Sequence, residues 1–218
     1  MNEPRLERKY IFKTTQLKDL VEAIKNHPMF INEKYDERIV NNIYFDTPGL
    51  SNFLEGVEGV PERCKVRIRW YNNSAENSYL EVKSKKGSVG DKLRYRLEDF
   101  DPKSTNIGRE FYKALNNSDI PQHIKIELKK LIPSSFNSYK RKYFENQKHD
   151  LRITLDYDMV FQRMLSEKLI PIKNPKDKTI IMEVKYSSEN EKELNELLKY
   201  FPLRINKFSK YNQGIVSI

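Results

Sequence analysis

The chain has 218 residues, a length that suits one domain, and 38% of them are hydrophobic, which is enough for a buried core. This composition argues against a disordered protein. Lysine and arginine number 40 against 31 aspartates and glutamates, which gives a formal charge of +9. Such an excess favours anionic partners, namely phosphates, nucleic acids or lipid headgroups, and charge alone does not choose among them.

Cysteine and histidine are too sparse for a disulfide or a structural zinc site. Cys64 is the one cysteine, so no intrachain disulfide forms and a reducing compartment is expected. His27, His123 and His149 lie far apart without ligand spacing, so any metal must rest on carboxylates. The first residues are charged where a signal peptide is apolar, and no stretch approaches the roughly 18 apolar residues of a membrane span. We therefore expect a soluble, cytoplasmic protein.

Alternation of apolar and polar residues with period two recurs along the chain and predicts β-strands. The predicted strands are 5–13, 39–45, 63–71, 78–85, 92–98, 138–144, 151–157 and 179–186. Polar hairpin loops are predicted at 72–77 and 173–178. The chain has no internal repeat, low-complexity tract or dividing linker, so we expect a single domain over 1–218 that is mainly antiparallel β.

Helical periodicity predicts helices that pack on the periphery of this sheet. The predicted helices are 17–25, 122–131, 189–200 and a short helix that follows Thr47 and Pro48. In the first of them Leu17, Leu20, Val21 and Ile24 form one apolar face. The fold class predicted is therefore α+β.

The polar faces of the predicted strands carry an excess of cations. Side chains two apart on a strand share a face, which groups Lys65, Arg67 and Arg69; Glu81 and Lys83; Lys92, Arg94 and Arg96; Glu183 and Lys185; and Arg5, Glu7 and Lys9. One such strand is typical of a sheet with one solvated face. Cations that recur in strand after strand repel one another unless an anion neutralises them. We therefore predict a sheet that curls into an antiparallel β-barrel with a basic lumen.

The aromatic residues of these strands argue against nucleic acid as the anion. Binding of single-stranded nucleic acid usually requires aromatic side chains that stack on bases beside the cations. Trp70, Tyr95 and Tyr186 fall on the apolar faces instead. An anion without rings fits the cationic face better, so no nucleic-acid partner is expected.

Short motifs follow one another in a fixed order from one end of the chain to the other. They are RLERKY at 5–10, NIYFDT at 42–47, KVRIR at 65–69, LEVK at 80–83, YKRKYF at 139–144, RITLD at 152–156, IMEVKY at 181–186 and KFSKY at 207–211. Each is weak alone, but the ordered set resembles the VTC-type polyphosphate polymerase domain. That domain is a branch of the triphosphate tunnel metalloenzymes, which also include CYTH-type hydrolases and RNA triphosphatases. The resemblance implies that the barrel is a triphosphate tunnel.

The resemblance also implies a set of site residues. The phosphate chain would be bound by Lys9, Arg67, Arg69, Lys83, Arg94, Arg141, Arg152, Lys207 and Lys210, with hydroxyl contacts from Tyr139 and Ser209. Those at the reacting phosphates would be Lys9, Arg67, Arg69, Arg141 and Arg152. Glu183 and Glu7 would hold a divalent metal, Mn²⁺ or Mg²⁺. Lys207 and Lys210 rest on the resemblance alone, because alternation says nothing about them.

Some of these positions also have a purely structural interpretation. Arg141 and Arg152 also suit ordinary surface arginines. Glu81 suits an ion-pair partner of a neighbouring cation better than a metal ligand. Asp46 suits a turn cap.

One departure from the hydrolytic branch bears on the reaction. That branch typically begins with two alternating glutamates before a lysine, whereas here Arg5 stands at the first position, followed by Glu7 and Lys9. Hydrolysis needs an activated water, for which a further carboxylate is useful. The resemblance therefore implies an enzyme, a polyphosphate polymerase that transfers the γ-phosphate of ATP to a growing chain. A tripolyphosphate hydrolase and a non-catalytic polyphosphate-binding module remain as alternatives.

The partners implied are ATP, pyrophosphate as primer and polyphosphate as product. Because related domains occur with membrane proteins, the resemblance also implies a separate membrane partner. The chain itself contains no predicted transmembrane segment.

Overall fold

The computed structural model describes residues 6–86, 89–148, 150–165, 168–171, 178–201 and 208–216. Arg5 and Lys207 lie outside the described residues, as does most of the loop predicted at 173–178. The strands are β1 (Leu6–Lys13), β2 (Asn32–Asp46), β3 (Glu62–Tyr71), β4 (Ser74–Lys86), β5 (Val89–Arg96), β6 (Ile132–Asn146), β7 (Leu151–Leu165), β8 (Lys168–Pro171) and β9 (Thr179–Tyr186). The helices are α1 (Leu17–Lys25), α2 (Ser51–Glu58), α3 (Ile107–Asn117), α4 (Gln122–Leu128), α5 (Glu191–Leu198) and α6 (Lys210–Val216).

The chain forms two compact units, each assembled from three segments. The first unit comprises Met1–Arg38, Tyr139–Met159 and Pro175–Phe208. The second unit comprises Ile39–Ser138, Val160–Asn174 and Ser209–Ile218. Strands β2, β6 and β7 contribute residues to both units.

Antiparallel pairing connects the strands, so the predicted α+β class is confirmed. The order is β1-β9-β7-β6 in the first unit and β6-β2-β3-β4-β5 in the second, and β8 pairs with β7. β1 and β5 each have one neighbour among the described strands, so the predicted barrel is not seen as a closed hydrogen-bonded ring. Alternation identifies the face that a side chain takes, but not whether the first and last strands of a sheet pair.

The core of the first unit lies on one face of β1, β7 and β9. Its buried side chains include Tyr10, Phe12, Ile153, Leu155, Met182 and Val184. Helices α1 and α5 cover this face with Leu20, Ile24, Leu194 and Leu197. Because side chains alternate along a strand, Lys9 and Glu183 lie on the opposite face.

The second unit has its own core on β2, β3 and β4. Its buried side chains include Ile43, Phe45, Val66, Ile68 and Leu80. Helix α3 packs on them through Phe111, whose ring centroid lies 4.0 Å from that of Phe45. The helix begins after Asn106, whose side chain accepts a hydrogen bond of 2.8 Å from the backbone N–H of Arg109. This cap satisfies one of the N–H groups that have no partner within the helix.

The hairpin between β3 and β4 is tighter than predicted. The polar stretch at 72–77 was predicted as a loop, but Tyr71 already pairs with Ser74 and the turn consists of Asn72 and Asn73. Asn72 has φ of 54°, a left-handed conformation that asparagine tolerates better than most residues. Polar residues at the end of an exposed hairpin can extend the ladder as well as form a loop, so the hairpin was predicted correctly but its loop was predicted too long.

Asp46 is a buried cap that connects β2 to α2, as predicted. Its carboxylate accepts hydrogen bonds from the backbone N–H groups of Thr47 at 2.7 Å and of Asn52 and Phe53, each at 3.0 Å. The hydroxyl of Tyr211 in α6 also donates to this carboxylate. One carboxylate therefore holds the first turn of α2 and the first turn of α6.

Helix α6 approaches β6 closely at Gly214. A Cβ at this position would lie 3.2 Å from both Cβ and Oγ of Ser135, which is tighter than ordinary side-chain contacts. The absence of a side chain thus permits the close packing of α6 on the second unit. Among the described helices, none combines the length and apolar character needed to cross a membrane.

Candidate phosphate-binding site

A row of three lysines crosses β3, β4 and β5 in the second unit. Lys65 stands opposite Lys83, and Lys83 stands opposite Lys92. Lys83 and Lys92 are exposed, and the half-buried Lys65 donates a hydrogen bond of 3.1 Å to the hydroxyl of Ser209. Like charges directly opposite on paired strands destabilise a sheet. A bound anion would therefore reduce the repulsion within this row.

The neighbouring row on the same face centres on the buried Glu81. Arg67 donates two hydrogen bonds to one oxygen of Glu81, at 2.8 and 2.6 Å, and Lys92 donates one of 2.8 Å to the other. Arg69 and Arg94 lie 4.0 and 3.9 Å from this carboxylate. The predicted ion-pair role of Glu81 is confirmed. Because one carboxylate lies among several cations, the cluster has a net positive charge.

Electrostatics keep Glu81 ionised. Burial alone would raise the pKa of its carboxyl group, but the charges of Arg67 and Arg69 and the hydrogen bond from Lys92 hold that pKa well below its usual range. The pKa of Lys92 is lowered by desolvation and by repulsion from the same two arginines, in spite of its bond to Glu81. An additional anion at this cluster would therefore favour the charged form of Lys92.

Arg69 is fixed by an amide chain that extends across β2 to β6. Its Nε donates a hydrogen bond of 2.8 Å to Oδ1 of Asn42, and the Nδ2 of Asn42 donates one of 2.9 Å to Asn137. All three side chains are buried. This guanidinium is therefore preorganised, which reduces the conformational entropy lost when an anion binds.

Arg94 is the more exposed counterpart of Arg69. Its side chain is 47% exposed, and its guanidinium carbon lies 3.6 Å from the ring centroid of Tyr79. Stacking on an aromatic ring leaves the N–H groups at the rim of the guanidinium free to donate to an anion.

Tyr44 belongs to this cluster, although the sequence analysis did not assign it. It stands opposite Arg67, and its buried hydroxyl accepts a hydrogen bond of 3.2 Å from Nη1 of that residue. Burial raises the pKa of Tyr44, but Arg67, Arg69 and Lys210 together lower it below the ordinary value. Its place in the NIYFDT motif, two residues from Asn42, was the signal that could have identified it.

Ser209 and Lys210 lie at the start of α6 in the same unit. Besides the bond from Lys65, the hydroxyl of Ser209 donates a hydrogen bond of 2.9 Å to Asn212. Lys210 is half-buried and contributes its charge to the environment of Tyr44. The second unit thus brings together seven of the predicted residues, counting Glu81, and these are Arg67, Arg69, Glu81, Lys83, Arg94, Ser209 and Lys210.

The first unit has a separate cluster of alternating charges on β1 and β9. Lys9 lies 2.7 Å from Glu7 and 3.6 Å from Glu183, and Lys185 lies 3.1 Å from Glu183 and 3.9 Å from Glu7. The register places Glu7 opposite Lys185 and Lys9 opposite Glu183. Lys9 also donates a hydrogen bond of 3.5 Å to the carbonyl of Phe208. Two carboxylates are therefore held side by side by two lysines.

These two carboxylates fit a hard divalent metal. Mg²⁺ and Mn²⁺ prefer oxygen ligands, and Mg²⁺ is commonly held by one or two carboxylates together with substrate phosphates. Thr154 stands opposite Glu183, and its buried hydroxyl has no hydrogen-bond partner among the described residues. The described part of the chain contains no group of three or more His, Cys, Asp and Glu side chains that could hold a metal. The donors therefore suit an ion shared with phosphate.

Arg141 and Arg152 differ from each other, although both were predicted to bind phosphate. Arg141 is not a surface arginine: its side chain is 13% exposed, and it donates hydrogen bonds of 2.5 and 2.7 Å to the buried Asp156. Burial would lower its pKa, but Asp156 raises it well above the ordinary value. Arg152 stands opposite Lys185 and is 45% exposed. The buried Tyr139 has its ring centroid 5.3 Å from Arg141.

Comparisons with known proteins identify relatives of this chain. A family model described as the VTC domain matches residues 4–218. No curated protein shows significant sequence similarity to the chain.

Three solved structures illustrate the fold that the chain shares with other proteins. One from Hippeastrum is described as a candidate adenylyl cyclase with a dominant triphosphatase activity; it is 17% identical, with 97% of this chain and 95% of that chain covered and a TM-score of 0.60. A candidate adenylate cyclase from Bacillus halodurans is 14% identical, with 98% of each chain covered and a TM-score of 0.60. Another from Vibrio parahaemolyticus is 13% identical, with 97% of each covered and a TM-score of 0.55. At these identities the likeness concerns the fold.

Proposed function

This chain belongs to the VTC domain family, and from that premise we propose that it is a metal-dependent polyphosphate polymerase. It transfers the γ-phosphate of ATP to the end of a polyphosphate chain, with pyrophosphate as primer. The observation that carries the proposal is the row of directly opposed lysines, Lys65, Lys83 and Lys92, beside the arginines around Glu81. Repulsion within this row makes an anion with several neighbouring charges the natural ligand.

Phosphoryl transfer depends mainly on alignment and on compensation of charge. Arginine side chains bind phosphate oxygens through paired N–H groups, and lysines act as point charges. In the second unit Arg67, Arg69 and Arg94 supply the first kind of contact, and Lys83 the second. In the first unit we assign phosphate binding to Lys9 and Arg152.

The transfer step balances without a general base. A terminal oxygen of the polyphosphate chain, already anionic, attacks the γ-phosphorus of ATP. The bond between that phosphorus and the oxygen bridging it to the β-phosphate breaks, and ADP leaves with the bond electrons. No proton has to be removed from the nucleophile, so the absence of a second glutamate before Glu7 and Lys9 is compatible with this reaction.

Glu183 and Glu7 are the residues that would hold Mn²⁺ or Mg²⁺, which when bound would supply positive charge to phosphate oxygens. Lys9 and Lys185 each form ion pairs with these two carboxylates and so restrict their movement. Arg141 acts through its pairing with Asp156, which fixes the guanidinium while leaving one terminal nitrogen without a bond to that carboxylate. A separate membrane protein as partner remains a prediction of the family resemblance.

Hydrolysis of tripolyphosphate is the second candidate. It is favoured by the triphosphatase activity described for the Hippeastrum protein, which has the same fold. The two reactions share phosphate binding and differ in the nucleophile, which is water in the hydrolase. Product analysis therefore separates them.

The deciding experiment incubates the purified protein with ATP, Mn²⁺ and pyrophosphate and follows ADP and polymer by gel electrophoresis. We expect polymer from the wild type, none from Glu183→Gln, and wild-type amounts from Glu127→Gln, which removes an exposed carboxylate of α4. Release of phosphate from tripolyphosphate without polymer would identify a hydrolase. Binding of polyphosphate with neither product would identify a binding module.

A further inference from the structure

The second unit contains a cavity apart from the cation rows. Its volume is about 510 Å³, within the range of small-molecule sites, which is roughly 300–1,000 Å³. It is lined by the start of α3, the start of β6, the end of β7, α6 and the loop that follows β2. None of the residues around Glu81 and none of the opposed lysines lines it.

The walls of the cavity are largely apolar. The apolar lining includes Leu50, Ile132, Pro133, Met164 and Ile215. Leu50 has φ of 57° and ψ of 38°, a left-handed conformation that is strained for a residue with a side chain. Hydrogen bonds from Leu50 N–H to Thr47 and from Leu54 N–H to Leu50 hold it there. Strained residues of this kind cluster at ligand sites.

Two arginines, Arg109 of α3 and Arg163 of β7, also line the cavity. No aspartate or glutamate is among the described residues that line it. Within the described part of the chain neither guanidinium forms an ion pair, whereas Arg67 and Arg141 are paired with buried carboxylates. Arginine beside apolar surface, without an acid, is suited to bind an incoming anion through its fork of N–H donors.

The other polar groups of the cavity are already engaged. The side chain of Asn106 caps α3, the hydroxyl of Ser134 donates to the carbonyl of Tyr44 at 3.0 Å, and that of Tyr112 donates to the carbonyl of Leu131 at 3.2 Å. The two guanidinium groups are therefore the polar groups best placed to recognise a ligand. The guanidinium groups are complementary to an acidic group of a ligand, and the walls are complementary to an apolar part.

We propose that this cavity binds a small amphiphilic carboxylate, with its head on Arg109 and Arg163 and its apolar part against Leu50 and Ile215. The planar carboxylate matches the paired N–H groups of a guanidinium. Inorganic polyphosphate has no apolar part and does not satisfy these walls. The cavity would therefore bind a different class of ligand from the proposed polymerase site.

The test is calorimetric titration of the intact protein with decanoate, with tripolyphosphate present in excess so that other cationic sites are occupied. We expect saturable binding of decanoate and at least about tenfold weaker binding of decanol, which lacks the acid and so loses roughly 1.4 kcal/mol or more. Arg109→Met and Arg163→Met should each weaken decanoate binding by a similar factor. Lys130→Met, which removes an exposed cation outside the cavity, should not change it.

A second variant tests the apolar walls without touching the arginines. Ile132→Trp enlarges a partly exposed lining residue and should abolish decanoate binding while circular dichroism remains that of the wild type. Absence of decanoate binding, or equal binding by the wild type and both arginine variants, would overturn the proposal. Tighter binding of decyl phosphate than of decanoate would overturn the choice of a carboxylate head.

Discussion

The carboxylate of Glu81 offsets part of the positive charge that the second unit concentrates around it. It is 4% exposed and is bonded to Arg67 and Lys92, with Arg69 and Arg94 close by. Removing one partner of a buried ion pair leaves an uncompensated charge, which is destabilising. Glu81 therefore contributes to stability by limiting repulsion among residues proposed to bind phosphate.

We expect Glu81→Gln to lower the free energy of unfolding of the ligand-free protein by about 2 kcal/mol. This is below the value for a fully buried pair, because Arg67 and Lys92 are partly exposed. Urea unfolding measures the change, and Glu127→Gln, at an exposed ion pair, is the matched control. An unchanged unfolding free energy would contradict this role.

The same variant has a defined pH dependence. The folded-state pKa of Glu81 lies below its ordinary value of 4.5, so its contribution is fully present above pH 4.5 and is lost as the pH falls from there toward the folded-state pKa. We expect the stability difference between wild type and Glu81→Gln to be constant from about pH 7 to 5 and to shrink below about pH 4.5. A difference that grows on acidification would refute this assignment.

Alternation in the sequence was sufficient to predict the faces of Arg67, Arg69 and Glu183, because the side-chain period of a strand is fixed. It was not sufficient to predict the partner of Arg141. The contact with Asp156 depends on the register between two strands, and a shift of one residue would turn the carboxylate to the other face. Residue faces are local properties, whereas pairs across strands are not.

The opposed lysines of β3, β4 and β5 are expected to lower the stability of the ligand-free sheet and to strengthen anion binding. Removing one of them should therefore stabilise the protein and weaken binding. Lys83→Met should raise the unfolding free energy without ligand by about 0.5 kcal/mol, because it removes the middle charge of the row. It should weaken tripolyphosphate binding about fivefold, or about 1 kcal/mol. Urea unfolding and calorimetry measure the two effects, with Lys130→Met as control. A variant that lost both stability and affinity, or gained both, would argue against a ligand-binding role of the row.

Besides its apolar contacts, helix α6 is attached to the second unit by the buried hydroxyl of Tyr211, which donates to Asp46. We expect Tyr211→Phe to lower the unfolding free energy by about 2 kcal/mol, because Asp46 remains buried with one donor fewer. Urea unfolding measures this, and Tyr200→Phe, at an exposed tyrosine of the first unit, should change it by less than about 0.5 kcal/mol. Equal effects of the two variants would rule out a special role of the Asp46 bond.

The existence of a strongly periodic element was predicted better than its length. β9 and α1 have the bounds expected from periodicity, and β2, β6 and β7 continue beyond their predicted ends. Helix α3, helix α6 and strand β8 were not predicted. α3 and α6 contain Gly108 and Gly214, which weaken a helical pattern, and β8 has four residues, too few for alternation to register.

The formal charge of +9 makes the binding of a polyanion dependent on ionic strength, and this includes the polyphosphate proposed as ligand. We expect tripolyphosphate affinity to fall about tenfold between roughly 50 and 200 mM NaCl, because cations on the protein compete with salt for the same phosphates. Calorimetry at several salt concentrations measures how steeply the logarithm of the affinity falls with the logarithm of the salt concentration. Arg67→Met should reduce this slope. An affinity independent of salt would contradict the ionic character of the site.

The resident carboxylate of Glu81 also bears on how fast an anion departs. A phosphate that takes the Nε and Nη2 donors of Arg67 would displace the carboxylate of Glu81, which could re-form these two bonds when the phosphate moves. In the proposed polymerase, such an internal competitor would shorten the residence time of each phosphate on Arg67, while the other cations would still bind a long chain. The proposed product chain has to advance by one phosphate after every addition and would benefit from contacts of this kind, because each contact can be exchanged without release of the whole chain.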